Sequence, residues 1–191
     1  MPRYGFHLSI AGKKGVAGAV EEATALGLTA FQIFAKSPRS WRPRALSPAE
    51  VEAFRALREA SGGLPAVIHA SYLVNLGAEG ELWEKSVASL ADDLEKAALL
   101  GVEYVVVHPG SGRPERVKEG ALKALRLAGV RRVAHHLEAG IGQQQRGEAT
   151  PEQGVVVHHQ QADLVVVFDH GAGMSVAAMG VIPGAVSGAR E

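Results

Sequence analysis

The sequence predicts an α/β fold, a parallel sheet covered by helices over residues 1–130, followed by a tail of different character over residues 131–191. Three observations predict it. Strand-like and helix-like segments alternate up to about residue 128. The strand-like segments are almost wholly apolar, as parallel strands with covered faces are. The helix-like segments repeat apolar residues at three- and four-residue spacing. Alternation of this kind is built from β-α units, whose crossovers demand parallel strands.

The elements follow in order. Tyr4 to Ile10 reads as a strand closed by Ala11-Gly12, and the helix after it carries Val16, Val20 and Ala23 on one face and ends at Gly27. Ala30 to Phe34 is a short apolar strand. Ser47-Pro48-Ala49-Glu50 opens the next helix with a capping hydroxyl, a proline at the first helical position and a glutamate able to close a capping box. Val51, Phe54 and Leu57 form its buried stripe, and Gly62-Gly63 ends it. Ala66 to Ala70 is the third strand. Glu81 to Leu100 is a long helix with Trp83, Val87, Leu90, Leu94 and Ala97 on one face. Tyr104 to His108 is the fourth strand, and Pro114 to Leu127 a fourth amphipathic helix.

After about Val130 the composition changes. Five of the eight histidines and six of the seven glutamines fall there, with no lysine and only two leucines, Leu137 and Leu164. Val155-Val156-Val157 and Leu164 to Phe168 are strand candidates without a helix between them. The shift marks a domain boundary.

Bulk properties narrow the function. A chain of 191 residues that is 47% hydrophobic and 21% charged is globular. Its formal net charge is zero, so contact with nucleic acid has to rest on a local patch. Without cysteine, any metal is held by histidine and carboxylate, which suits zinc or manganese. No segment has the roughly 18 apolar residues needed to span a bilayer, so a cytoplasmic protein without a membrane partner is expected.

In parallel α/β folds, both doubly wound sheets and barrels, chemistry gathers at the C-terminal ends of the strands. Two histidines finish consecutive apolar strands there: Ile68-His69-Ala70-Ser71-Tyr72 and Val107-His108-Pro109-Gly110-Ser111. One strand-end histidine is as well explained by a bond to a neighbouring loop. Two on consecutive strands, with His7 near the end of the first, favour a metal or acid–base site. The loop Ala35 to Arg44 lies on the same side, with four cations around Trp41. It suits phosphate contact and stacking as well as it suits an ordinary solvated loop. In the tail, Glu138 and Asp169 have a strand-end setting, whereas His135-His136 and His158-His159 are adjacent pairs whose rings would diverge on a strand.

Four of these strings together resemble endonuclease IV-type apurinic/apyrimidinic (AP) endonucleases, the AP endonuclease family 2. They are His7-Leu-Ser-Ile-Ala-Gly12, Phe31-Gln-Ile-Phe-Ala-Lys-Ser-Pro-Arg-Ser-Trp-Arg42, His69-Ala-Ser-Tyr-Leu-Val-Asn-Leu-Gly77 and Val105-Val-Val-His-Pro-Gly-Ser111, and they span about residues 4–128. The resemblance implies a TIM-like barrel, of which four β-α units make about half, and a zinc-assisted hydrolysis of the DNA backbone 5′ to abasic sites. It implies three zinc ions, with manganese an alternative, and double-stranded DNA containing abasic sites as partner. By resemblance His69 and His108 are metal ligands, with Glu138 and Asp169 as further candidates. Arg39, Trp41, Arg42, Tyr72 and Asn75 approach DNA, and His7 lies near the site.

The tail departs from the family. The apolar-Glu-Asn-Thr context is reduced to Leu137-Glu138, the Asp-x-x-His motif to Asp169-His170, and the later ligand motifs have no counterpart. Family members run nearly half as long again, and a full barrel takes roughly 250 residues. The endonuclease is then a truncated or inactive one, and two other readings follow: a sugar isomerase or epimerase relative with one divalent ion, which has no use for a basic loop, and a non-catalytic or non-functional fragment.

Overall fold

A computed structural model describes residues 4–102, 104–128 and 164–167. Its elements alternate as β1 (Gly5–His7), α1 (Gly15–Ala25), β2 (Ala30–Phe34), α2 (Pro48–Ala60), β3 (Ala66–His69), α3 (Gly80–Leu100), β4 (Tyr104–Val107), α4 (Pro114–Leu127) and β5 (Leu164–Val167). The sheet runs β1-β2-β3-β4-β5. Its first three pairings are parallel, and β5 lies antiparallel on β4.

Strand order decides between the two parallel architectures. Each of the first four strands pairs with the next, so crossovers of one hand put every helix on the same face. That is the winding of a barrel, and the four parallel strands form an open part of one. The helix face is dry: Phe31, Ile33, Ala66, Ile68, Val105 and Val107 are at most 2% exposed. On the opposite face Val67 and His69 are buried, whereas Tyr104 and Val106 are half-covered. β1 is exposed along its length. Coverage of both faces, expected for all strands, holds for the central β2 and β3, but not for β1 or for one face of β4.

Local chemistry explains the elements. In α1, Val16, Val20 and Ala23 are fully buried, and Gly27 follows the last turn in the left-handed conformation. Ser47 caps α2, its Oγ accepting from the Glu50 amide at 3.2 Å. The Glu50 carboxylate does not return to the cap. It accepts from the Val16 amide at 3.2 Å and from Arg44 Nη2 at 2.6 Å, so it caps α1 instead. A charged oxygen gains more from the orphan amides and positive end of another helix than from one amide of its own. α3 buries Trp83, Val87, Leu90, Leu94 and Ala97 as its spacing predicts, and Gly101 closes it in the left-handed conformation. Leu164 to Phe168 yields the described β5, whereas Val155-Val156-Val157 lies outside the described residues.

Candidate functional site

Parallel pairing brings the strand ends into one row. Phe34 on β2 stands opposite His69 on β3, and His7 on β1 stands opposite Gln32. His108 follows β4 directly. The rings form a continuous group, with centroids 4.3 Å apart for His7 and Phe34, 5.2 Å for Phe34 and His69, and 5.0 Å for His69 and His108. Partial burial against Phe34, and then the neighbouring His69, lower the His7 pKa from its ordinary value.

The two strand-end histidines face each other. His69 is 6% exposed, and its Nδ1–H donates to the Ala70 carbonyl at 2.7 Å, which leaves Nε2 with a lone pair. That lone pair meets His108 Nε2 at 3.2 Å. Two imidazole nitrogens bound at about 2.0–2.1 Å to one tetrahedral ion stand roughly 3.3 Å apart, so the observed separation suits a shared divalent ion. A ring whose far N–H is held by a backbone carbonyl is the usual arrangement of a metal-binding histidine. The donor set therefore fits zinc or a similar ion at two positions. Among the described residues no third histidine or carboxylate joins them. Glu138 and Asp169 lie outside the described residues.

Around this pair, two loops are tied together. The Pro38 carbonyl accepts from Ser71 Oγ at 2.8 Å and from the Tyr72 amide at 3.1 Å. Arg39, next in sequence, is exposed, as is Arg42, and Trp41 is half-buried. Tyr72 is 54% exposed, its ring edge-on to His69 at 5.2 Å. A basic projection and an exposed aromatic ring thus flank the histidine pair on one rim.

The other two cations of the loop face inward. Lys36 is 2% exposed and donates to the Ser89 carbonyl at 2.7 Å and to Asp92 Oδ2 at 2.8 Å, with Asp93 Oδ1 at 3.0 Å. Arg44 is held by Glu50. Asn75 is engaged within the protein, its Oδ1 accepting from the Gly77 amide at 3.1 Å. Sequence reasoning passed over Ser71 and the buried ionic group of Lys36, Asp92, Asp93 and Lys96. One signal for that group was available: Asp93 falls within the apolar stripe of α3, between Leu90 and Ala97, where a carboxylate needs a buried partner.

The chain resembles known proteins in sequence and in fold. A family model described as xylose isomerase-like TIM barrel matches residues 20–162. A protein of Chloroflexus aurantiacus named "Probable endonuclease 4" is 46% identical over 112 residues, covering 58% of this chain and 39% of that protein. One of the same name from Nitratidesulfovibrio vulgaris is 40% identical over 139 residues, covering 72% of this chain and 45% of that protein. The chain spans about two-fifths of the length of these relatives. Among solved structures, "The crystal structure of AsfvAP:AG" superposes with a TM-score of 0.52 at 18% identity, over 63% of this chain and 44% of that one, a likeness of fold.

Proposed function

Because the chain belongs to the xylose isomerase-like TIM barrel family, we propose that its strand-end histidines and joined loops make an endonuclease IV-type site acting on abasic positions in duplex DNA. One observation carries this reading: Arg39 and Tyr72 sit on loops stitched at the Pro38 carbonyl, beside a histidine pair spaced for a divalent ion. A small sugar substrate has no use for that basic, aromatic rim.

His69 and His108 would hold zinc, or manganese, through Nε2, with Glu138 and Asp169 as further ligands and up to three ions by resemblance to the relatives. Bound there, the metal supplies Lewis-acid activation of a water nucleophile and of the scissile phosphate. The chain's own residues do the rest. Arg39 and Arg42 carry exposed guanidinium groups suited to bidentate contact with phosphate oxygens. Tyr72 offers a ring that fills the gap left in the base stack, with Trp41 of the basic loop as a second stacking surface. An abasic nucleotide has no base to unstack, so turning it toward the histidines costs little, and this selects for the lesion. His7 closes the opposite side of the site through Phe34. Residues 1–130 would be the unit that carries these groups, with β5 (Leu164–Val167) from beyond it added to the same sheet.

The test is incision of a duplex holding one abasic site, by the full chain with zinc or manganese added. Cleavage 5′ to the lesion is expected, lost on chelation and in His69→Ala. Absence of any incision at enzyme excess with either metal overturns the activity.

A further inference from the structure

The loops that follow the two histidines touch along their backbones. In the β3–α3 loop, the Leu76 amide donates to the Pro109 carbonyl at 2.7 Å, and Pro109 is next to His108. Gly110, at φ +84°, is packed so that a β-carbon would stand 2.3 Å from Asn75 Oδ1 and 2.7 Å from Asn75 Cα. At Gly77 a β-carbon would lie 2.5 Å from the Ser111 carbonyl oxygen. Neither contact leaves room for a methyl group.

The interlock is itself anchored. Asn75 N donates to Ser86 Oγ at 2.9 Å, and Ser86, fully buried on α3, donates on to the Leu82 carbonyl. Leu76 is fully buried, close enough to Gly120 on α4 that a β-carbon there would meet it at 3.2 Å. Both helices therefore fix one short segment, and that segment fixes the backbone beside His108. His69 opens the same loop from the end of β3.

We propose that Asn75 is a positioning residue, which with Gly77 and Gly110 locks the two loops in register and so holds His69 and His108 at the spacing of a shared divalent ion. This rests on the metal-site reading above. Capture of one ion by two rings depends on their separation, and the rings sit at the ends of different strands whose following loops meet at this interlock. Asn75 serves both sides at once: Oδ1 turns the chain at Gly77, while the residue's body is the surface against which Gly110 packs.

The experiment titrates the full chain with cobalt(II), followed by visible absorption and calorimetry, alongside thermal unfolding. Asn75→Ala and Gly110→Ala are expected to weaken cobalt binding by roughly 10–100-fold, the range seen for supporting residues of metal sites, while still unfolding cooperatively. Asn75→Asp keeps an acceptor for the Gly77 amide and is expected to restore binding to within about threefold, so that loss of stability alone does not account for the result. Cobalt binding in Asn75→Ala equal to the parent overturns the proposal. If the parent chain binds no cobalt, the metal reading itself fails, and the interlock is then judged without metal. In that case the side-chain ¹⁵N shifts of His69 and His108 are expected to move in Asn75→Ala and Gly110→Ala, and unchanged shifts refute it.

Discussion

Asp93 is a fully buried carboxyl with Lys36 Nζ 3.0 Å away, and the two belong to a group completed by Asp92 and Lys96. Burial pushes the Asp93 pKa up to about 6, against the pull of Lys36. At Asp92 burial acts the same way, but hydrogen bonds from Lys36 and Lys96 outweigh it and its pKa falls below the ordinary value. For Asp93 the unfolded chain ionises near 4, so between about pH 4 and 6 folding takes up a proton. Stability from this group is therefore complete below the unfolded pKa and is lost as pH rises through about 6. Asparagine does not titrate. Asp93→Asn should gain on the parent by about 1–2 kcal/mol between roughly pH 5 and 7.5 in urea unfolding, and a constant difference across that window refutes the assignment. Lys36→Met leaves two adjacent carboxylates of α3 with less neutralisation, and about 3–5 kcal/mol of destabilisation is expected at neutral pH. In the sequence Lys36 reads as one of four cations of a basic loop. Its partners lie 56 residues on in α3, a separation that no local pattern conveys. His69 and His108 were legible because strand ends in parallel folds converge by geometry alone. Their facing nitrogens were not, since the angle of each ring depends on contacts such as the Ala70 carbonyl.

At the scale of elements, local signals with fixed chemistry were the legible ones. Ala30 to Phe34 and Pro114 to Leu127 match their predicted ends, and Ser47-Pro48 starts α2 where capping rules place it. The first strand is shorter than predicted, Gly5–His7 rather than Tyr4 to Ile10, because its pairing with β2 covers only Ala30 to Gln32. Glu50 shows the same limit: its amide obeys the capping rule while its carboxylate serves α1, 34 residues away. A distinction in energy follows. Ser47→Ala removes one cap and should cost about 1 kcal/mol. Glu50→Ala removes the α1 cap and strands Arg44, part-buried beside it, and should cost more, roughly 2–3 kcal/mol. Chemical denaturation of the two variants checks the order, and an equal or smaller loss for Glu50→Ala means that its carboxylate is not the cap of α1.

For the whole molecule, a formal net charge of zero removes long-range attraction to DNA and leaves association to the loops on one rim. The cations of those loops divide by partner. Lys14 pairs with Glu21, Lys36 with Asp92 and Asp93, Arg44 with Glu50 and Arg113 with Glu79. Lys13, Arg39 and Arg42 have no ion pair among the described residues. Each phosphate neutralised contributes about −0.9 to the slope of log binding constant against log salt concentration, so three contacts give a slope of about −3. Binding of the chelated protein to an abasic duplex, measured across a salt series, should show that shallow dependence. Removing Arg39 should lower affinity and flatten the slope by about one. A slope steeper than about −5 would mean that a surface other than this rim carries the DNA. With the expected shallow slope, affinity comes chiefly from the Tyr72 and Trp41 rings and from the low cost of turning out a nucleotide without a base. Discrimination between abasic and intact duplex should therefore persist as salt rises, whereas purely electrostatic capture would lose both together.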